Sequence, residues 1–438
     1  MHPSHAIRGR HSQLLSGRRI LLGVSGSIAA VEVVRIVREI IRHGADVRAV
    51  MSPEATRIVT PEALEFATGH PAIVQLTGAV EHVTFLGPGE GRADLYLIAP
   101  ATANTISKIA HGIDDTPVTS CASVALGGGV PILLAPAMHA HMGLNPAVKA
   151  NLETLKGWGV GVIAPQTAEG EEKIATPEEV AAAVLRRLAR GPWAGRRVVV
   201  VGGASREPVD RVRSITNESS GATAVALATQ AAYRGAAVEL WAGAMSVALP
   251  SFLPVTRWTG VNDLLALARR AQHDLAEASA VFVPAALSDF TVDSRPGKVS
   301  SRDIASLSLT LKKAPKVLPE LRKLARPPTL LVAFKLLAGA GAARLAEEGR
   351  QLRVDTGADW VVANDVATMG SATTDGLVLP PNGGGHWIRA PKPEFAGRLL
   401  DEIGEAIAKR ESRPRRSRGI HPQGPGRPPA RRPPRVRA

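Results

Sequence analysis

Four short segments of this 438-residue chain place small, hydroxyl or amide side chains directly after apolar runs. They are Gly26-Ser27-Ile28-Ala29, Ser52-Pro53-Glu54-Ala55, Pro100-Ala101-Thr102-Ala103-Asn104 and Pro136-Ala137-Met138-His139. Small residues after a strand let backbone N–H groups approach a phosphate, and hydroxyls and amides add uncharged hydrogen bonds. Ser27, Ser52, Thr102 and Asn104 suit a phosphate and the polar edge of a ring, so this half points to an anionic, nucleotide-like ligand. The first segment is not Gly-x-Gly-x-x-Gly, which disfavours a classical dinucleotide site. His82 and His139 are the candidate proton carriers here, although a lone histidine is more often structural. His141, two residues after His139, raises a metal pair, but no third ligand is in view. In the second half, Asn217-Glu218-Ser219-Ser220-Gly221 precedes a helical pattern and forms a further anion site. Ser288-Asp289-Phe290 and Ala363-Asn364-Asp365 follow apolar runs, and Lys298, Lys312, Lys313 and Lys316 cluster nearby. Lysines near strand ends suit a triphosphate; a solvated basic face accounts for them equally well.

The elements that must carry these segments repeat. Arg18-Arg19 opens the run Ile20–Val24, and Arg196-Arg197 opens Val198–Val201, each followed by a small-residue turn. An apolar run without alternation reads as a strand buried on both faces. Strands at 45–51, 93–99, 130–135 and 160–165 alternate with helices at 31–43, 61–68, 105–111, 145–157 and 177–190. After the 198 strand come helices at 222–235, 261–278, 317–324, 342–356 and 394–410. Strands at 237–241, 280–284, 329–334, 360–363, 376–379 and 386–389 lie between them. Alternation of this kind predicts two tandem doubly wound, mainly parallel-sheet (Rossmann-like) α/β domains. The expected division is a flexible N-terminus (1–17), a first domain (18–190), a linker (191–195), a second domain (196–410) and a basic tail (411–438).

Composition bounds the rest. Aromatics are 3% of the chain, so the cores rest on Ala, Val, Leu and Ile. The single cysteine, Cys121, excludes an intramolecular disulfide framework and fits a reducing compartment. No apolar run reaches the roughly 20 residues of a membrane span. The N-terminus has no signal-peptide core, so a cytoplasmic protein is expected. The net charge of +14 is concentrated in residues 409–438, where eleven Lys/Arg face one acid. That tail, with seven prolines, cannot bury a core. It reads as a disordered extension able to bind nucleic acid weakly through phosphates.

Taken in order, several segments resemble the bifunctional flavoproteins of coenzyme A biosynthesis, in which phosphopantothenoylcysteine decarboxylase is fused to phosphopantothenate–cysteine ligase. They are Gly23–Ala29, His82, Pro100–Asn104 and Pro136-Ala137-Met138, then Arg206-Glu207-Pro208-Val209-Asp210, Asn217 with Ser219-Ser220-Gly221, Ser288-Asp289-Phe290, Phe334-Lys335 and Ala363-Asn364-Asp365. The resemblance runs from Arg18 to Lys409. It implies FMN held by Gly26, Ser27, Ile28, Ala29, Ser52, Ala101, Thr102, Ala103 and Asn104, and a catalytic His82. It implies substrate contacts from Met138, His139, Glu171, Lys173, Ser219, Ser220, Gly221 and Asn364. A nucleotide, CTP with Mg²⁺, would meet Ala285, Asp289, Lys298, Pro315, Lys316, Val317, Leu318 and Phe334. Asn217 and Lys298 would be catalytic in ligating cysteine to 4′-phosphopantothenate. A homo-oligomer built on trimers, either a dodecamer or a smaller trimeric form, is implied, while metal ligands stay unassigned.

The chain departs from the common bacterial pattern in ways that look like the archaeal branch. His139 stands where Asn follows Pro-Ala-Met, and the flap segment Ala168–Lys173 has no Cys, leaving Glu171, Glu172 and Lys173 as proton-donor candidates. Ala222 replaces the Lys of Ser-Ser-Gly-Lys, Ser300 and Ser301 stand where lysines follow Lys298, and Leu337 stands where an acid is expected. The helix that carries a lysine in relatives offers Arg350 and Arg353 in its place. Two other readings therefore remain: an FMN-dependent decarboxylase with a divergent or inactive ligase half, or a non-catalytic scaffold of the same family.

Overall fold

Apolar runs buried along nearly their whole length assemble two separate sheets. The structure, a computed structural model, describes residues 2–168, 171–300 and 306–412. In the first sheet the strand order is Asp46–Met51, Arg19–Val24, Leu95–Ala101, Ile132–Pro136, Gly161–Val162, all parallel. Chain order reverses between Arg19–Val24 and Leu95–Ala101. The loops after those two strands therefore diverge and open a crevice at their carboxyl ends. The second sheet runs Val255–Arg257, Ala237–Ala242, Arg197–Gly202, Ala280–Val283, Leu330–Leu337, Trp360–Asp365, Thr373–Leu379, His386–Pro391. Its first six strands are parallel and its last two antiparallel. It has the same reversal, between Arg197–Gly202 and Ala280–Val283.

Small residues set the spacing in the second domain. A Cβ on Gly202 would lie 2.0 Å from the Cβ of Ala224, so the helix Ala222–Tyr233 sits almost directly on the strand beneath it. Its alanine-rich inner face makes that approach possible. One arm leaves the body: Phe290–Val292 pairs antiparallel with Leu311–Lys313.

Several expectations change. Residues 2–17, expected to be flexible, fold back on the first domain: Pro3–Ile7 is a helix, and Ile7 and Leu15 join the core. The expected linker is not a free tether, because Trp193 is buried in the second core and its Nε1 donates to the Leu400 carbonyl at 2.8 Å. The helix expected at 261–278 breaks at Ala271 into Val261–Arg270 and Gln272–Glu277, which lets Leu275 turn into the core. The strand expected at 160–165 shrinks to Gly161–Val162. A helix not expected at all, Pro117–Gly128, is capped by Thr116 in a reciprocal capping box with Thr119. The tail expected to be disordered lies outside the described residues from 413 onward. Among the described residues no helix is long and apolar enough to cross a membrane.

The domains touch. Glu179 accepts from the Ser251 hydroxyl at 2.5 Å, and the Tyr233 ring stands edge-on to His43 with centroids 5.2 Å apart.

Candidate active sites

In the first domain, the reversal of strand order draws the first and third loops to one cavity of about 410 Å³. Ser25, which sequence reasoning passed over, ties them together. Its buried hydroxyl donates to the Pro100 carbonyl at 2.7 Å and accepts from the Thr102 N–H at 3.0 Å. Of the expected cofactor residues, Gly26, Ser27, Ser52, Thr102, Ala103 and Asn104 line the cavity, as do Met138 and His139. Ile28, Ala29 and Ala101 do not: Ile28 is 78% exposed, Ala29 packs toward the core and Ala101 is buried in its strand. Thr102 caps the helix Ala103–Ala110, and Thr116 caps Pro117–Gly128; both cap residues line the cavity. Two helix starts thus aim partial positive charge at it. The one lysine there, Lys108, is already paired with Asp115 at 2.7 Å. The cavity is therefore suited to take an anion through backbone N–H groups and hydroxyls, which fits a phosphate-bearing cofactor.

Gly26 is required by space. A Cβ there would lie 2.3 Å from the Glu54 Cβ. Gly26→Ala is expected to displace the first loop from Ser52-Pro53-Glu54, cost about 1–3 kcal/mol of overpacking and lower flavin retained on purification. The 450-nm-type flavin absorbance per chain, read beside thermal unfolding, checks it.

His82 does not reach this cavity. It is half-buried on the short helix Glu81–Leu86, with Nδ1 buried and without a hydrogen-bond partner. Val80 just before it holds φ 48°, the one positive φ at a non-glycine residue among those described. His139 caps the turn Ala140–Gly143 and stacks on His141, the two Nδ1 atoms 3.3 Å apart. The metal pair considered at His139 and His141 gains no third His, Cys, Asp or Glu ligand among the described residues. The hairpin Gln166–Ala168 with Glu171–Lys173 lies beside that turn. Residues 169 and 170 and the Glu171 and Glu172 side chains fall outside the description, and Lys173 does not line the cavity.

The second cavity, about 660 Å³, lies over the second reversal point. Asn217, Ser219, Ser220, Gly221, Ala285, Phe334 and Asn364, far apart in the chain, all line it. Asn217 Nδ2 donates to the Leu287 carbonyl at 3.0 Å. Gly221 adopts φ 77°, and a Cβ there would meet Met245 Cγ at 2.5 Å. Asp365 organises the neighbouring loop instead of facing the cavity. It accepts from the Ala367 N–H at 2.9 Å and the Ala340 N–H at 2.8 Å, and these bonds hold its carboxyl below the usual carboxylate range. Lys392 also lines the cavity, and no sequence signal pointed to it.

The other nucleotide residues part from this group. Lys316 Nζ pairs with Asp289 Oδ1 at 2.7 Å beside the arm, and Pro315 and Lys316 line a separate depression with Asn262 and Arg269. Val317 is buried and Leu318 packs against the core, because both sit on the apolar face of Val317–Leu324. Lys298 is exposed in a turn that Asp210 fastens: Asp210 accepts from Val212 N, Arg213 N and Val299 N at 2.8, 2.8 and 3.1 Å. Those backbone bonds, the one from Val212 first, pull the Asp210 carboxyl down to about 2.

Residues 8–189 match the Flavoprotein family, and residues 193–407 match the family described as DNA/pantothenate metabolism flavoprotein C-terminal domain. The coenzyme A biosynthesis bifunctional protein CoaBC of Thermococcus kodakarensis is 42% identical over 405 residues, covering 92% of this chain and 99% of that protein. The chain belongs to the bifunctional CoaBC family of coenzyme A biosynthesis. The CoaBC protein of Methanocaldococcus jannaschii is 35% identical over 84% of this chain and 88% of its own length. That of Bacillus subtilis is 30% identical over 82% and 88%. As a CoaBC chain this is an enzyme with two activities, a decarboxylase and a ligase, and its two domains each carry one of the cavities described.

Proposed function

We propose that the second domain joins cysteine to 4′-phosphopantothenate at the expense of CTP and Mg²⁺, and that the first, with FMN, decarboxylates the resulting 4′-phosphopantothenoylcysteine to 4′-phosphopantetheine. The observation that carries the reading is the presence of two cavities at two strand-order reversals, each entered by helix starts and lined by the residues the family pattern singles out.

In the ligase cavity, the 4′-phosphopantothenate carboxylate attacks the α-phosphorus of CTP and releases pyrophosphate. The cysteine amine then displaces CMP from the acyl carbon. Asn217 spends one N–H on Leu287; its second N–H and its Oδ1 face the acyl phosphate. The start of Ala222–Tyr233 holds the phosphate where relatives add a lysine. Asp289, Lys298, Pro315 and Lys316 serve the nucleotide from the arm. Asn217→Asp places a negative charge against that intermediate. It is expected to cut ligation about 10²-fold or more with decarboxylation unchanged, read by assaying the two half-reactions separately.

In the decarboxylase cavity, Thr102, Asn104 and the helix starts hold the FMN phosphate and ring edge. Bound FMN would take two electrons from the substrate's cysteine side chain, which eases loss of CO₂, and return them to the resulting enethiol to give the thiol product. His82 moves a proton at that step from an adjacent copy, since its own cavity lies out of reach. Ile28, Val31, Met142 and Leu144, exposed near residues that line the cavity, favour such trimer-based packing.

Mass spectrometry of products from 4′-phosphopantothenate, cysteine, CTP and Mg²⁺ tests the whole reading. Formation of 4′-phosphopantetheine supports both sites. Turnover only of supplied 4′-phosphopantothenoylcysteine would reduce the reading to a decarboxylase with a silent ligase half.

A further inference from the structure

The N-terminal segment carries a group of side chains that neither cavity uses. His11 comes from that segment; Glu39 and His43 lie one turn apart on the helix Val33–Arg42 and its cap, on one face. His11 Nδ1 is 2.9 Å from Glu39 Oε1, and His43 Nε2 is 3.6 Å from the same oxygen. Their ligand atoms all lie within 4.8 Å of one another, the one such group of three His, Cys, Asp or Glu side chains among the described residues.

The buried histidine points to what belongs between them. His43 is 2% exposed, and its Nε2 is buried without a hydrogen-bond partner. Its other nitrogen, Nδ1, is paired with Ser12 Oγ at 2.8 Å. In the tautomer whose Nδ1–H donates to Ser12 Oγ, Nε2 presents its lone pair toward Glu39 and His11. A partner fixing the far nitrogen is how metal-binding imidazoles are oriented. A buried lone pair with nothing to accept is costly unless a proton donor or a cation fills the space. Arg42 takes the second carboxylate oxygen, Oε2, at 3.0 Å and leaves Oε1 to the two imidazoles. The Arg42 guanidinium beside it and the imidazole of His11 at 2.9 Å suit Glu39 as a carboxylate ligand.

We propose that His11, Glu39 and His43 form a divalent-cation site, with Zn²⁺ the best-matched ion and water in the fourth position. Two imidazoles and one carboxylate suit zinc better than Mg²⁺ or Ca²⁺, which prefer oxygen ligands. Tetrahedral ligand bonds of about 2.0–2.2 Å place ligand atoms roughly 3.4 Å apart, so His43 already stands at a fitting distance from Glu39 and His11 needs only a small side-chain shift away from it. The ion fastens the N-terminal segment to the first domain. It also backs the imidazole on which Tyr233 of the second domain rests. Its role is structural, remote from both cavities.

The test uses the full chain without a histidine tag, stripped of metal by chelator. Zn²⁺ is titrated in competition with a chromophoric chelator, and Co²⁺ is titrated while visible absorption is followed. The expected result is one Zn²⁺ per chain, intense tetrahedral-type Co²⁺ bands, and a zinc-dependent rise in the unfolding midpoint. His11→Gln, at a half-exposed position that tolerates the change, and Glu39→Gln should each weaken Zn²⁺ binding at least about 10-fold and abolish the rise. His141→Gln should leave both unchanged. Absence of stoichiometric Zn²⁺ under competition would overturn the proposal, as would binding by His11→Gln equal to that of the unaltered chain.

Discussion

His82→Asn is expected to leave bound flavin at the level of the unaltered chain and to slow decarboxylation of supplied 4′-phosphopantothenoylcysteine by about 10²–10⁴-fold. Asparagine keeps the approximate size and a donor of the imidazole but neither takes up nor releases a proton near neutral pH, so the change isolates proton transfer from packing. The setting of His82 suits a working residue. Its Nδ1 is buried and unpartnered, and it follows Val80, held at φ 48°. Backbone in that region costs free energy at a β-branched residue and persists where the surroundings impose it. His82 also stands outside the cavity of its own chain, so the loss should appear only in turnover and not in flavin stoichiometry. The checks are flavin absorbance per chain and the rate of CO₂ release. Turnover at the unaltered rate would remove His82 from the mechanism.

Lys392→Met is expected to lower ligation by about 10²–10³-fold, with flavin content and decarboxylation unchanged. Lys392 is the one lysine or arginine among the residues lining the second cavity. It opens the helix Lys392–Ser412, and its ammonium is held by the Ser371 carbonyl. Partial burial lowers its pKa, and no carboxylate offsets that effect. An ammonium placed so, with only a neutral oxygen beside it, gains most when an anion arrives. Three anionic groups meet in this cavity under the proposed reaction: the substrate phosphate, its carboxylate and the nucleotide. The helix start at Ala222 brings no side-chain charge, and Lys392 approaches the same cavity from the antiparallel side of the sheet. Initial-rate measurements with varied 4′-phosphopantothenate and CTP separate the substrates: a rise in KM confined to one names the anion that Lys392 holds. Unaltered ligation would show that the helix start alone suffices.

The parts of the fold that were legible share a cause. Strands such as Arg19–Val24 and Arg197–Gly202 are buried on both faces, and burial on both faces leaves an unbroken apolar run that composition alone reveals. The helix Pro117–Gly128 left no such trace. It is made of Ser, Ala, Gly and Thr with apolar residues all round, so it has no stripe to detect, and only Thr116-Pro117 at its start marks it. The site divides in the same way. Ala285 follows, and Asn364 ends, a strand of the parallel sheet, where ligands gather, while Asn217–Gly221 were legible as the small polar turn that starts the helix Ala222–Tyr233. Lys392 follows the antiparallel edge strand His386–Pro391, to which that rule does not extend. Val317 and Leu318 carried a nucleotide role by likeness, but their helix turns them inward. An apolar side chain at helical spacing is claimed by the core unless something prevents it. His82 sits on the short helix Glu81–Leu86 outside the cavity of its own chain, so the geometry of one chain gives it no role to read.

The 2.0 Å that separates a would-be Gly202 Cβ from Ala224 has a bearing on how this enzyme can change over time. Ala224 lines the second cavity, and Gly202 beneath it sets the height of the helix start that follows. Growth at Gly202, which does not line the cavity, is expected to lift that start away from the strand ends and to weaken ligation. Drift at that codon is therefore opposed by packing alone. A survey of tolerated substitutions would score Gly202 beside the cavity residues, although its part is to keep two backbones close.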